Sequence, residues 1–195
     1  MLKVYLDNDV ASAISQHDCD RAQRDAIDLL LEANRSGNLA VGTSRQSPRE
    51  MERAPPQHQA KLKTGLSELD LAKDDHKVLG FHTQTDQHGG CISNPLVTDI
   101  VDGQMYEDLL AAGLKTDDAK HLMYAVHNGY QRFLTCDNGI LSRRADFEKR
   151  CCPSMRIQRP SELAAELSDA TGCPAGPTKS QSGAEPGAAP DRGGN

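Results

Sequence analysis

The chain has 195 residues, a formal net charge of −6 and no tryptophan. Its length suits one domain, or one domain with a tail, since domains usually span about 100–200 residues. With aromatic residues at 4%, a stacking platform for single-stranded nucleic acid is not expected, and the acidic balance argues against simple electrostatic binding to nucleic acid. No apolar run approaches the roughly 20 residues of a membrane span, and Asp7 comes too early for a secretory signal peptide. We therefore expect a cytoplasmic protein without a membrane partner.

Short strands alternate with helices along the chain. Strands bounded by turn residues are predicted at Leu2–Leu6, Leu39–Gly42, Arg132–Cys136 and Met155–Gln158. Apolar residues at helical spacing predict helices at Asp20–Arg35, Asp117–Asn128 and Ser161–Leu167, with Gly37 and Gly129 as stop signals and Ser161 as a cap. This alternation predicts a three-layer α/β/α fold around a central, mainly parallel sheet of four to five strands.

The middle and the end of the chain have weaker patterns. Between Arg53 and Gly103 we expect a helix at Lys61–Lys73, a strand at Val78–Phe81 and a loop at Gln84–Pro95. The last 25 residues contain six glycines and four prolines, so they bury too little apolar surface to offset the entropy of ordering. The sequence thus predicts a folded domain at 1–168 and a disordered Gly/Pro-rich tail at 169–195.

The cysteines do not form a zinc framework. There is no CxxC pair among the six, and Cys151 and Cys152 are adjacent; with no export signal expected, they indicate a reducing compartment. One stretch invites a metal interpretation, because it holds His76, His82, His88 and Cys91. Its spacings are wider than those of structural zinc sites, so a surface loop is favoured there.

Acidic residues stand at the ends of predicted strands and at the starts of predicted helices. Asp7 follows the first strand and Asp137 follows the strand at 132–136, whereas Glu50 and the pair Asp117-Asp118 open helices. In open parallel sheets, ligands bind at the carboxyl ends of the strands. Clustered carboxylates repel one another unless a cation holds them, and such hard oxygen ligands select Mg²⁺ or Mn²⁺.

Each acid also has a purely structural interpretation. Glu50 completes a capping box with Ser47, and Asp117 and Asp118 suit the positive end of a helix dipole behind a Thr116 cap. The remaining acids, Asp7, Asp9 and Asp137, are typical of Asx turns. It is the joint pattern, and no single acid, that favours a site.

Three segments resemble the PIN-domain nucleases, a family that includes the toxin ribonucleases of type II toxin–antitoxin pairs. The strongest is GLKTDDAKHLMYAVHNGYQRFLTCDNGIL at 113–141, which is similar to the family's Asp-Ala at a helix start followed by a strand and Thr-x-Asp. VYLDNDVASAI at 4–14 and TSRQSPREMER at 43–53 resemble the segments with the first and second acids. The resemblance covers both ends of 1–168 and leaves Ala54–Val101 without a motif.

The resemblance implies a set of site residues. Asp7, Glu50, Asp118 and Asp137 match the four acids that are both catalytic and metal-binding, with Mg²⁺ or Mn²⁺ as the cofactor. Asp118 is preferred to Asp117 because Ala119 follows it, and Glu52 competes with Glu50. Thr135 matches a small hydroxyl residue that supports the last acid, and Asp9 departs from the family's usual Asn or Ser. The activity implied is metal-assisted hydrolysis of RNA phosphodiester bonds.

Several partners and alternatives follow. The resemblance implies an RNA substrate and allows an antitoxin protein and a homodimer; bound Mg²⁺ would reverse the local negative charge where a phosphate sits. His121 is expected to pack or to face solvent instead of acting as a base. Six basic residues either contact phosphate or are solvated surface: Arg45, Arg49, Lys115, Lys120, Arg143 and Arg144.

Two other functions fit part of the pattern. One is a non-catalytic PIN-like binding module, against which the retention of all four acids argues. The other is a haloacid-dehalogenase-type phosphatase, because Asp7-x-Asp9 after a strand resembles that family's nucleophile motif. Thr-x-Asp followed by Gly139-Ile140 fits that family poorly.

Overall fold

The computed structural model describes residues 1–16, 19–53, 69–72, 77–85 and 91–171, together with positions 55, 56, 59, 63, 66 and 67. For residues 77–85 and 91–97 it describes the backbone. The strands of the described part are β1 (Leu2–Leu6), β2 (Leu39–Thr43), β3 (Asp70–Leu71), β4 (Lys77–Thr85), β5 (Cys91–Thr98), β6 (Arg132–Leu134) and β7 (Arg156–Gln158). The helices are α1 (Asn8–Gln16), α2 (Arg21–Arg35), α3 (Gln46–Met51), α4 (Gly103–Ala111), α5 (Thr116–His127), α6 (Asn138–Leu141), α7 (Arg144–Arg150) and α8 (Pro160–Thr171).

Five parallel strands form the central sheet in the order β3-β2-β1-β6-β7. The first strand is at the centre: Tyr5 lies opposite Gly42 of β2 on one side and Phe133 of β6 on the other. The chain builds outward through β2 and β3, and later through β6 and β7 on the opposite side. The order of the strands therefore reverses between β1 and β6, and a crevice opens at the carboxyl ends of strands at such a point.

Two hydrophobic clusters cover the two faces of this sheet. Because side chains alternate along a strand, Tyr5 and Phe133 pack with α4, α5 and α7 on one face. Val4, Leu6 and Leu134 pack with α1, α2 and α8 on the other. The predicted three-layer α/β/α fold is confirmed.

The four strands and three helices predicted outside the middle of the chain are present, with small shifts at their ends. Gly37 and Gly129 follow α2 and α5 with positive φ, as their stop signals predict. The Ser161 cap is wrong, because α8 begins at Pro160 and Ser161 Oγ instead accepts a hydrogen bond from Gln23 Nε2 on α2. This helix also continues to Thr171, and residues 172–195 lie outside the described part of the chain.

The middle of the chain differs most from the prediction. The strand expected at Val78–Phe81 is confirmed within β4. The loop expected at Gln84–Pro95 is wrong at both of its ends, which belong to the antiparallel strands β4 and β5, and residues 86–90 lie outside the described part of the chain. The helix expected at Lys61–Lys73 is wrong at its end, because β3 pairs there with β2. The remainder of that helix, with His76 and His88, falls largely outside the described residues.

Several short helices escaped prediction. Asp7-Asn8-Asp9 indicated a turn, yet α1 begins at Asn8, directly after Asp7.

None of the described helices has the length and hydropathy that crossing a membrane requires. The four cysteines whose side chains the structure describes, Cys19, Cys136, Cys151 and Cys152, form no disulfide.

A close approach at Gly42 generates a test of the sheet edge. A Cβ atom there would stand 2.6 Å from the carbonyl oxygen of Asp70 and would overlap the Tyr130 hydroxyl. Gly42→Ala should therefore destabilise the protein by about 1–3 kcal/mol, measured by urea unfolding. Gly103→Ala is the matched control: it has open space at the start of α4, and alanine is the better helix former by about 1 kcal/mol. Equal stability of the two variants would contradict this packing.

Candidate functional site

Asp7 lies buried at the carboxyl end of β1, beside β6, where the strand order reverses. Its backbone N–H donates to the carbonyl of Leu134 over 3.0 Å, so the residue is fixed against β6. One carboxylate oxygen accepts from the Asn8 N–H (2.8 Å) and the other from the Thr135 hydroxyl (2.9 Å). Burial nonetheless raises the pKa of Asp7 above its usual value, against the lowering effect of nearby His121.

Asp9 lies two residues after Asp7, in the first turn of α1. Its carboxylate accepts from the Cys136 N–H over 2.7 Å and from the Val10 N–H over 2.6 Å. Burial, followed by the charge of Asp7, raises the pKa of Asp9 to about 7. Asp9 therefore ties α1 to the segment after β6 and places a second acid beside Asp7.

Thr135 contacts the first acid as well as the last acid that it was expected to support. Its hydroxyl donates to Asp7 Oδ2, and its oxygen accepts from the backbone N–H of Asp137 over 3.1 Å. The side chain is fully buried. Thr135 thus orients the carboxylate of the first acid and the backbone of the last.

Asp118 and Asp137 approach Asp7 from two further elements. Asp137 is the N-cap of α6, where its carboxylate accepts from the N–H groups of Gly139 and Ile140, so its turn-forming role is confirmed. Asp118 is half-buried in the first turn of α5. Burial, followed by the charges of Asp7 and Asp137, raises the pKa of Asp118 to about 6. These three carboxylates therefore share one electrostatic environment.

Glu50 reaches the same place from α3. Its charge contributes to the raised pKa of Asp7, and its Oε1 is hydrogen-bonded to His121 Nε2 (3.1 Å) and to Gln46 Nε2 (3.0 Å). The capping box with Ser47 is wrong, because Ser47 is buried within α3 and its hydroxyl bonds to that of Thr43. Glu52, the alternative to Glu50 in the sequence analysis, is exposed at the end of α3.

His121 is the buried residue at the centre of this arrangement. Its Nδ1 lies 2.7 Å from the Tyr5 hydroxyl, and its Nε2 lies 4.0 Å from Asp7 Oδ1 as well as bonding to Glu50. Burial by itself lowers the pKa of His121, but the hydrogen bond to Glu50 and the charges of Asp7, Glu50 and Asp118 outweigh it, so the pKa is raised. Of the two placements expected for His121, the structure shows packing, and the ring packs against acids.

Asp117 lies at the flank of the four acids. Its Oδ1 accepts from Gln46 Nε2 over 2.8 Å, and its Oδ2 pairs with Arg53 over 3.0 Å. The predicted cap Thr116 is instead the first residue of α5, behind Lys115 at the N-cap. Both oxygens of Asp117 thus have partners. At Asp118, burial and then the charge of Asp7 raise the pKa.

Most of the flanking basic residues have defined partners. Arg49 and Lys120 both pair with Asp99, at 3.1 and 2.8 Å, and together they lower the pKa of Asp99 against the raising effect of its burial. The others are engaged elsewhere or mark helix starts: Arg143 donates to the carbonyls of Ala112 and Gly113, Arg144 pairs with Glu162, and Arg45 and Lys115 are the N-caps of α3 and α5.

The acids are brought together without forming a ready-made cage. Among the side chains that the structure describes, no group of three or more His, Cys, Asp or Glu is arranged to hold a metal ion. Binding a metal through Asp7, Asp118 and Asp137 therefore requires these side chains to rotate toward one another. Two oxygens of Asp7 and one of Glu50 are already engaged in hydrogen bonds.

The sequence analysis missed two residues that organise the site, Gln46 and Tyr5. Gln46 bridges Glu50 and Asp117 with one amide nitrogen, and the hydroxyl of Tyr5 bonds to both Ser44 and His121. A signal existed for His121, since it lies three residues after Asp118 and residues at that spacing share a helix face. Glu50 lies four residues after Gln46 on α3, but Asp117 and both partners of Tyr5 come from distant segments, so spacing alone does not reveal those contacts.

Comparisons of the sequence with protein-family models and with curated proteins, and of the chain with solved structures, found no match.

Replacing Thr135 tests whether its hydroxyl supports Asp7. Thr135→Val keeps the shape but leaves a buried carboxylate oxygen without its donor, so the free energy of unfolding should fall by about 1–3 kcal/mol. Thr135→Ser retains the hydroxyl and should lose less. Chemical denaturation at neutral pH measures both. Equal stability of the valine and serine variants would show that the hydrogen bond to Asp7 does not stabilise the protein.

Proposed function

We propose that this protein is a divalent-metal-dependent ribonuclease that hydrolyses phosphodiester bonds in RNA. The observation that carries the proposal is the meeting of four acids from four segments at one crevice of the sheet. Asp7 follows β1, Glu50 lies on α3, Asp118 opens α5 and Asp137 follows β6. Their charges act on one another: Glu50 contributes to the raised pKa of Asp7, and Asp7 and Asp137 to that of Asp118.

The donor set fits Mg²⁺ or Mn²⁺. All four residues offer carboxylate oxygen, the ligand that these hard cations prefer. A structural role alone accounts poorly for the group, because burial and then the charges of neighbouring acids raise the pKa values of Asp9 and Asp118 to about 7 and about 6. Perturbed carboxylates in a crevice are typical of functional sites. Asp7, Glu50, Asp118 and Asp137 would hold the ion.

The remaining residues would position the site. A bound divalent ion supplies Lewis-acid polarisation of the phosphate and lowers the pKa of bound water. Thr135 holds Asp7 through its hydroxyl, and Asp9 fixes the turn before Asp137 through the Cys136 N–H. Lys115 and Arg53 lie beside Asp118 and Asp117, where they can contact backbone phosphate.

The choice of RNA as the substrate rests on the resemblance to PIN-domain nucleases. The strongest segment, residues 113–141, contributes α5 with Asp118 and β6 with Thr135 and Asp137. Net acidity then disfavours tight metal-independent binding but leaves metal-dependent cleavage open. An antitoxin partner and a homodimer are further proposals that follow from the same resemblance.

The direct test is cleavage of a labelled structured RNA and an unstructured RNA with Mg²⁺, Mn²⁺ or EDTA. We expect cleavage with metal and none with EDTA. Asp118→Asn should lower the rate by more than about 100-fold, since even outer partners of metal sites cost about 10–100-fold. Asp28→Asn, an exposed acid on α2, is the matched control and should cleave like wild type.

Three results of this experiment would contradict the proposal. One is cleavage that persists in EDTA or in Asp118→Asn. Another is RNA binding, measured by anisotropy, with no cleavage under either metal; it would support the binding module. The last is hydrolysis of p-nitrophenyl phosphate in place of RNA, which would support the phosphatase.

A thermal measurement tests metal binding without RNA. Since Asp118 is held among like charges, Asp118→Asn should raise the melting temperature of the metal-free protein by a few degrees, as about 1 kcal/mol shifts Tm by roughly 2–8 °C. Mg²⁺ or Mn²⁺ should raise the wild-type Tm by linkage, and Asp118→Asn should reduce that response. Asp28→Asn should leave both quantities unchanged. A wild-type Tm insensitive to millimolar Mg²⁺ and Mn²⁺ would argue against the site.

A further inference from the structure

His121 links the elements that carry three of the four acids. It stands on α5, one turn after Asp118, and its Nδ1 lies 2.7 Å from the hydroxyl of Tyr5, two residues before Asp7 on β1. Its Nε2 lies 3.1 Å from Glu50 Oε1 on α3. One imidazole ring therefore connects β1, α3 and α5.

The ring is held firmly in this position. Only 1% of the His121 side chain is exposed, and its edge packs against Tyr5, with ring centroids 5.9 Å apart. Tyr5 is fully buried, stacks on Phe133 and bonds to Ser44 Oγ over 2.7 Å. Since these contacts belong to the sheet and its core, the direction in which Nε2 points is set by the fold.

Glu50 depends more than the other acids on outside support. Its helix α3 has six residues, and the N-cap Arg45 makes no side-chain capping bond. His121 Nε2 and Gln46 Nε2 both bond to the same oxygen, Oε1, and in the described part of the chain no partner is recorded for Oε2. Both donors thus use one oxygen of Glu50 and leave its second oxygen free of them.

We propose that His121 is a positioning residue: by bridging the Tyr5 hydroxyl and Glu50 Oε1, it fixes Glu50 so that its second oxygen completes the metal site. This inference rests on the proposed function and assigns to His121 neither a metal bond nor a proton transfer. A metal ligand held by an outer hydrogen bond is a common device, and its loss costs about 10–100-fold in metal affinity or activity.

Variants at position 121 separate positioning from stability and from acid–base chemistry. His121→Ala removes the donor to Glu50 and should raise the Mn²⁺ dissociation constant, measured by electron paramagnetic resonance of free Mn²⁺, by about 10–100-fold. The Mn²⁺ concentration for half-maximal cleavage should rise in parallel. His121→Gln retains an N–H donor toward Glu50 and should recover most of both quantities, although glutamine cannot transfer a proton as imidazole does.

Two further variants serve as controls. Leu122 is buried on the same helix and packs in the core. Leu122→Ala should therefore lower Tm while leaving the Mn²⁺ dissociation constant within about twofold of wild type. Tyr5→Phe removes the hydroxyl that orients the ring and should weaken Mn²⁺ binding by less than His121→Ala does. A circular dichroism spectrum of each variant establishes that it is folded.

The outcomes are distinguishable from those that test the nuclease itself. Wild-type Mn²⁺ affinity in folded His121→Ala would overturn the positioning role while the nuclease proposal stands. Normal affinity with no cleavage in His121→Gln would also overturn it, since it would identify His121 as an acid or base. If wild type binds Mn²⁺ but cleaves no RNA, the nuclease proposal fails and the Mn²⁺ constants alone decide the role of His121. A wild type that binds no Mn²⁺ overturns both.

Discussion

The burial of one carboxylate, that of Asp7, is the constraint on which the rest of the site depends. Removing a charge from water is costly unless hydrogen bonds and opposite charge compensate. Here the backbone of Asp7 joins three elements, because its N–H donates to β6 and its carbonyl accepts from Ala11 in α1. Two donors and a nearby imidazole then surround the carboxylate. A buried acid thus joins the carboxyl end of the central strand to its neighbours.

Much of this could be predicted from the sequence because the determining patterns are local. The short run Leu2–Leu6 bounded by turn residues and the helical spacing in Asp20–Arg35 depend on residues within a few positions of one another, and both elements are present. The placing of acids after strands then follows from parallel topology, since carboxyl ends meet at one edge. Asp7 and Asp137 lie at that edge as predicted.

The errors share the opposite cause. The hairpin of β4 and β5 is set by pairing between strands, and a segment rich in glycine and glutamine gives no strong local signal for it. The capping box at Ser47 has the right residues, but Thr43 competes for the Ser47 hydroxyl inside the core. The expected support of the last acid by Thr135 is divided between Asp7 and the Asp137 backbone. In each case a partner distant in sequence or packed from another element decides the outcome.

The compensation around Asp7 is uneven, and this bears on where the proposed metal ion would bind. On the side of Glu50, the imidazole of His121 and the amide of Gln46 already face the carboxylates. On the side of Asp118, Lys115 and His121 lower its pKa but do not cancel burial and the charges of Asp7 and Asp137, so the pKa stays raised at about 6. Because a cation gains most where negative charge is least balanced, it would bind first among Asp7, Asp118 and Asp137. Glu50 would then contribute an oxygen whose direction is set in advance by hydrogen bonds, so the cost of ordering falls mainly on the side chains of Asp7, Asp118 and Asp137, which must rotate.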